Sequence, residues 1–144
     1  MLPFKNMIKN LTALKNGGVN EIIKSLVILE DEFAKNLNRS QLIDGENING
    51  TSIEPAYTRF TVSEKKRKGQ IFDRVTLKDT GDFHKSFTVK ASSDSFVINA
   101  TDPKTNKIQR KYGDKILGLS EENKALFGLR GLQRQLIQQI KKKI

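Results

Sequence analysis

The chain has no cysteine, no tryptophan and a single histidine, His84. The missing thiols exclude disulfides, thiolate nucleophiles and cysteine-based zinc sites together. Any Ser-His-Asp triad would have to use His84. Long apolar runs are also missing. None approaches the roughly 20 residues that a bilayer-spanning helix needs, and Met1-Leu2-Pro3-Phe4-Lys5 lacks the apolar stretch of a secretory signal. These absences predict a soluble chain made in a cytoplasm, with no membrane as partner. The ten glycines form neither Gly-x-Gly-x-x-Gly nor a P-loop, so no phosphate-cradling loop is visible.

What is present fits one domain, residues 1–144. Two halves of a 144-residue chain would each be too small to bury a good core. The aromatic set is eight Phe and two Tyr, so the core should be modest and Phe-centred. Lys and Arg number 26 against 16 Asp and Glu, a formal charge of +10. A field of that sign attracts phosphate backbones, anionic membranes or acidic protein surfaces. The cations cluster at Lys65, Lys66, Arg67 and Lys68, again at Lys104, Lys107, Arg110, Lys111 and Lys115, and at Lys141 to Lys143. Only Tyr112 interleaves with them, so there is no aromatic platform for stacking single strands. No helix-turn-helix or RNA-binding signature appears either. Solvated loops account for these clusters as well as a nucleic-acid footprint does.

Hydrophobic spacing gives the elements. Phe4, Met7, Ile8, Leu11 and Leu14 follow helical steps up to Gly17-Gly18. A stronger helix is predicted from Asn20 to Asn38, with Ile22, Leu26, Leu29, Phe33 and Leu37 on its core face. Residues 39–70 are polar and broken by Gly45, Gly50, Pro55 and Gly69. Ile48, Ile53, Tyr57 and Phe60 are spaced too irregularly for one element, which predicts a long docked arm usable in assembly. Period two follows: Val75 and Leu77 predict a short strand. Phe83, Phe87, Val89 and Ala91 then alternate toward a turn at Ser92–Ser95, and Phe96–Ala100 return as the second arm of a hairpin. Ser120 is a predicted N-cap, with Glu121 and Glu122 at the positive end of the helix dipole. Gly128 and Gly131 predict a break or kink before Leu132, Leu136, Ile140 and Ile144. The order reads as α+β: a small antiparallel sheet against a long N-terminal helix, a C-terminal helix and an extended arm.

Catalytic chemistry is hard to find. Asp82, His84 and Ser86 would share one strand face side by side, which is not triad geometry, and His84 is expected to face solvent. Glu30, Asp31 and Glu32 fan outward on a helix. Asp79 and Asp82 flank a Thr-Gly turn, where Asp bonds its own backbone. No catalytic residue, metal ligand or cofactor site is therefore assigned, and no enzymatic activity is expected.

Val75-Thr-Leu-Lys-Asp-Thr-Gly-Asp-Phe-His-Lys-Ser-Phe-Thr-Val89 carries a resemblance. A strand, then Thr80-Gly81-Asp82, the hydrophobic Phe83, two spacers and Ser86 before a hairpin resembles the tail-completion, or head–tail joining, proteins of tailed bacteriophages. The preceding helix and the later Tyr112-Gly113 region take the places of that family's other elements. The resemblance runs from about Asn20 to Phe127; the arm is longer and more basic than the family's pattern, and a proline-rich ending is missing. It implies a structural virion protein of the neck or tail, made in the host cytoplasm. Such a protein forms a ring of copies, sixfold or twelvefold, against connector, portal and tail proteins. It also implies non-specific contact with DNA passing through a channel. The alternative is a small basic nucleic-acid-binding protein.

Overall fold

The computed structural model describes residues 19–92 and 95–142, except the side chains of 19–23 and 139–140. The helix expected over Phe4–Leu14 lies outside the described residues, as do Lys143 and Ile144. Where one helix is expected from Asn20 to Asn38 there are two, α1 at Val19–Leu29 and α2 at Asp31–Ile43. The backbone ladder passes through the junction: the Glu30 N–H donates to Leu26 O, and the Ala34 N–H to Glu30 O. Glu30 itself is buried, and its carboxylate accepts a hydrogen bond from Gln135 and lies 3.6 Å from the Arg134 guanidinium. A carboxylate removed from water needs such partners.

The buried face of α1 and α2 comprises Leu26, Val27, Glu30, Ala34, Asn38, Gln41 and Leu42. Leu29, predicted on the core stripe, is 58% exposed. The inner face runs in four-residue steps through Leu26, Glu30, Ala34, Asn38 and Leu42, and a stripe drawn through apolar residues alone misses it.

Residues 39–70 do not form an extended arm. Their first part completes α2. The chain then doubles back, with Glu46 bridged to Ser52 and the Ile53 N–H donating to Gly45 O. Helix α3, Arg59–Arg67, follows; the Thr58 hydroxyl caps it by accepting the Thr61 N–H. Ile48, Ile53 and Tyr57, expected to serve an arm, are folded onto the body instead.

The strand predicted at Val75 and Leu77 does not form. Leu77 has φ +55°, a left-handed conformation that a strand residue does not hold. Side chains take the ladder's place: the Thr76 and Leu77 N–H groups both donate to the Tyr57 hydroxyl, at 3.1 and 3.0 Å. Phe83 does not begin a strand either. Gly81, at φ +90°, and the Thr80 hydroxyl, which accepts the Asp82 N–H at 3.3 Å, start the helical turn α4, Asp82–Lys85. Phe83 on this turn and Phe87 just beyond its end are both buried, their rings edge to face with centroids 5.2 Å apart.

The hairpin forms as predicted. β1, Phe87–Ala91, pairs antiparallel with β2, Phe96–Ala100, and Phe87 sits opposite Ala100. Two strands alone are marginal in water. Here α1 and α2 lie against β1, and Phe96 packs on Phe127 with centroids 5.1 Å apart. After the hairpin the basic stretch is a helix, α5 at Thr105–Tyr112, followed by a 3-10 turn at Asp114–Ile116. Ser120 then caps α6, Glu121–Leu126, by accepting the Asn123 N–H. Gly128 and Gly131 do not break the chain there. A π-helical stretch at Phe127–Leu132 carries it into α7, Gln133–Lys142. The result is a mixed α+β fold whose sheet, among the described residues, is one two-stranded hairpin.

Candidate functional site

The Thr80–Ser86 motif is a built turn. Gly81 supplies the positive φ; the stems of Lys78 and Lys85 both pass within 3.8 Å of where a Cβ on Gly81 would stand. The Ser86 hydroxyl closes the turn by donating to Phe83 O at 2.8 Å. Asp82 is exposed on its rim.

His84 is not the solvent-facing residue the sequence predicts; it is 5% exposed. Its Nε2 donates to Thr76 O at 2.8 Å, and its ring stacks on Phe87 at 5.7 Å between centroids. Arg39 covers the pair: Nε donates to His84 O at 2.8 Å, and the guanidinium lies 5.7 Å over the Phe87 ring. Burial pushes the imidazole pKa below its ordinary value, and the nearby Lys78 and Arg39 charges add to that, against the hydrogen bond to Thr76. Asp82, His84 and Ser86 each bond elsewhere or face water, so they do not form a relay. Among the described residues no cluster of three or more His, Asp or Glu could hold a metal ion.

Of the four predicted arm anchors, three are used inside the fold. Ile53 is 4% exposed. Ile48 is half-buried, its Cγ2 3.0 Å from where a Cβ on Gly118 would stand. Tyr57 is half-buried, its hydroxyl accepting the two N–H groups described above. Phe60 alone stands out, at 76% exposure.

The first basic cluster is largely spent as well. Lys65 is buried, donates to Lys78 O at 2.7 Å, and lies 4.9 Å over the Tyr57 ring. Arg67 pairs with Glu64 at 2.7 Å and Lys68 with Asp79 at 2.9 Å. The Lys68 hydrogen bond holds the Asp79 carboxyl below the usual carboxylate range. Lys66 rests over Phe72.

The second cluster is different. Lys104, Lys107, Arg110, Lys111 and Lys115 are all exposed. The first four belong to α5 and its cap, where the expectation from sequence is only a cluster of cations. The signal was present in Thr105, Ile108 and Tyr112 at helical spacing, followed by Gly113.

Between β2 and the residues 117–119 opens an apolar cleft of about 530 Å³, lined by Phe96, Val97, Leu119, Phe127 and Leu132. No family model matches the chain, and no curated protein or solved structure does.

Proposed function

We propose that the chain is a structural subunit of the neck or tail of a tailed bacteriophage, acting as one member of a ring and performing no bond-making step. The observation that carries this reading is the turn Thr80–Ser86. Its Thr-Gly start, buried Phe83 and closing Ser86 lead directly into the hairpin, which is the part of the resemblance to tail-completion proteins that follows the strand expected at Val75 and Leu77.

A ring needs head-to-tail contacts, in which one patch meets a different patch on the next copy. Phe60 protrudes from α3 while the apolar cleft opens beside β2, so the chain carries both a projecting aromatic and a receptive apolar surface. Neighbouring connector, portal and tail proteins would be the other partners. Size-exclusion chromatography with light scattering, on the chain alone and mixed with connector and tail proteins, tests the reading. It predicts a closed oligomer or docking onto a connector; a strict monomer that binds none of them contradicts it.

A further inference from the structure

Helix α5 presents its cations on one side. At 100° per residue, Lys104, Lys107, Arg110 and Lys111 fall within an arc of roughly 120°. Thr105, Ile108, Gln109 and Tyr112 occupy the opposite side and are buried or half-buried. None of the four cations has an ion-pair partner among the described residues, in contrast to Arg67 at the end of α3 and Lys68, its C-cap. Asp102 is near in sequence, but its carboxylate accepts the Lys104 backbone N–H at 2.7 Å.

Helix stability does not account for this arrangement. Arg110 and Lys111 suit the negative end of the helix dipole, but Lys104 and Lys107 sit at the positive end, where a cation is disfavoured. The fold needs only the inward residues, and any polar residue would serve outside.

We infer that the outer face of α5 binds the phosphate backbone of double-stranded nucleic acid, without reading its sequence. Protein interfaces bury an apolar or aromatic centre and are poor in lysine. The outer arc of α5 has no apolar residue, and its remaining outward member is Asn106, a hydrogen-bond donor suited to phosphate. Lys104 to Lys111 spans about 10 Å, a length of duplex axis that carries about six phosphate charges. Lys111 rests 5.3 Å over the Tyr112 ring, but long, flexible cations free of ion pairs along such a span match a backbone and not a base edge. This inference stands apart from the assembly reading and survives its failure.

The test is fluorescence anisotropy of the full chain with two mixed-sequence DNA duplexes across a salt series. Each phosphate contact adds about 0.9 to the slope of log affinity against log salt. The variant with Lys104→Gln, Lys107→Gln, Arg110→Gln and Lys111→Gln is expected to lose at least about tenfold in affinity at low salt and about one unit of slope per residue, equally on both duplexes. An equal-charge control, Lys66→Gln, Arg67→Gln, Lys68→Gln and Lys85→Gln, should keep most of the slope. Circular dichroism confirms that both variants fold, and the single Lys107→Gln change should lower the slope by about one. Four results overturn the inference: no binding by the parent chain at low salt, an α5 variant with the parent slope, equal losses in both variants, or polyglutamate binding as tight as duplex. The last would give the face to an acidic protein.

Discussion

The side-chain oxygen of Asn38 accepts the backbone N–H of Gly118 at 2.9 Å, joining α2 to a loop 80 residues away in sequence. The same side chain donates to Ile116 O at 3.1 Å, and three residues on Gln41 holds Gly118 O and the Ser120 N–H. Two amides on one helix face thus serve as a strand would, taking up the donors and acceptors of 116–120. They fix the segment that leads into α6 and forms one wall of the apolar cleft.

Asn38 is fully buried. Asn38→Ala leaves the Gly118 N–H and Ile116 O without partners, and the expected cost is about 2–4 kcal/mol. Thermal denaturation should show a midpoint lowered by roughly 10 °C. A change within a degree of the parent would contradict this role.

Two glycines should separate backbone strain from crowding. Gly81→Ala meets only lysine carbons at 3.8 Å, so its cost is that of holding φ +90° with a Cβ, about 1–2 kcal/mol. Gly118→Ala holds φ +131° and also presses on Ile48 Cγ2 at 3.0 Å, so it should be the more damaging. Chemical denaturation of both variants checks the order, and the reverse order would refute it.

Much of the architecture is legible in the residues, and the exceptions share a physical cause. The hairpin announces itself because Phe87, Val89 and Ala91 alternate with polar residues and the apolar run Phe96-Val97-Ile98 follows the serine-rich turn. Ser120 announces the start of α6 by its capping chemistry. Leu77 gives no such notice, because its left-handed conformation goes with hydrogen bonds to Tyr57, 20 residues away. Nothing in the sequence marks Asn38 and Gln41 as buried, since only the folded loop supplies their partners. Lys65 counts as a free cation in the sequence and as a buried donor in the fold. Within the basic stretch after Pro103, the run of charges hides the Ile108–Tyr112 spacing of α5.

His84 gives the stability a pH dependence of definite sign. Burial lowers its folded pKa, while in the unfolded chain it titrates near its ordinary value of about 6.5. The stabilisation is whole above that pH and shrinks as the pH falls below it, because the unfolded chain takes up the proton first. His84→Gln keeps an amide donor for Thr76 O and removes the titration. Melting curves from pH 7.5 to 5 should converge for parent and variant as the pH drops; parallel curves would refute the assignment.

Tyr57 and Phe60 lie three residues apart and should behave oppositely. Tyr57→Phe removes the acceptor for two backbone N–H groups and should cost about 1–3 kcal/mol of stability, leaving association intact. Phe60→Ala should leave the melting temperature unchanged and weaken association by roughly tenfold, as loss of an exposed aromatic anchor does. Light scattering and calorimetry on both variants would expose a failure of this split.

Assembly without catalysis is the claim on which the functional reading depends. Electron microscopy of the purified chain, alone and docked on a connector ring, addresses it directly. The account predicts closed rings with one copy of the chain per repeat. Micrographs free of rings, from samples in which the chain stays monomeric beside the connector, would contradict it.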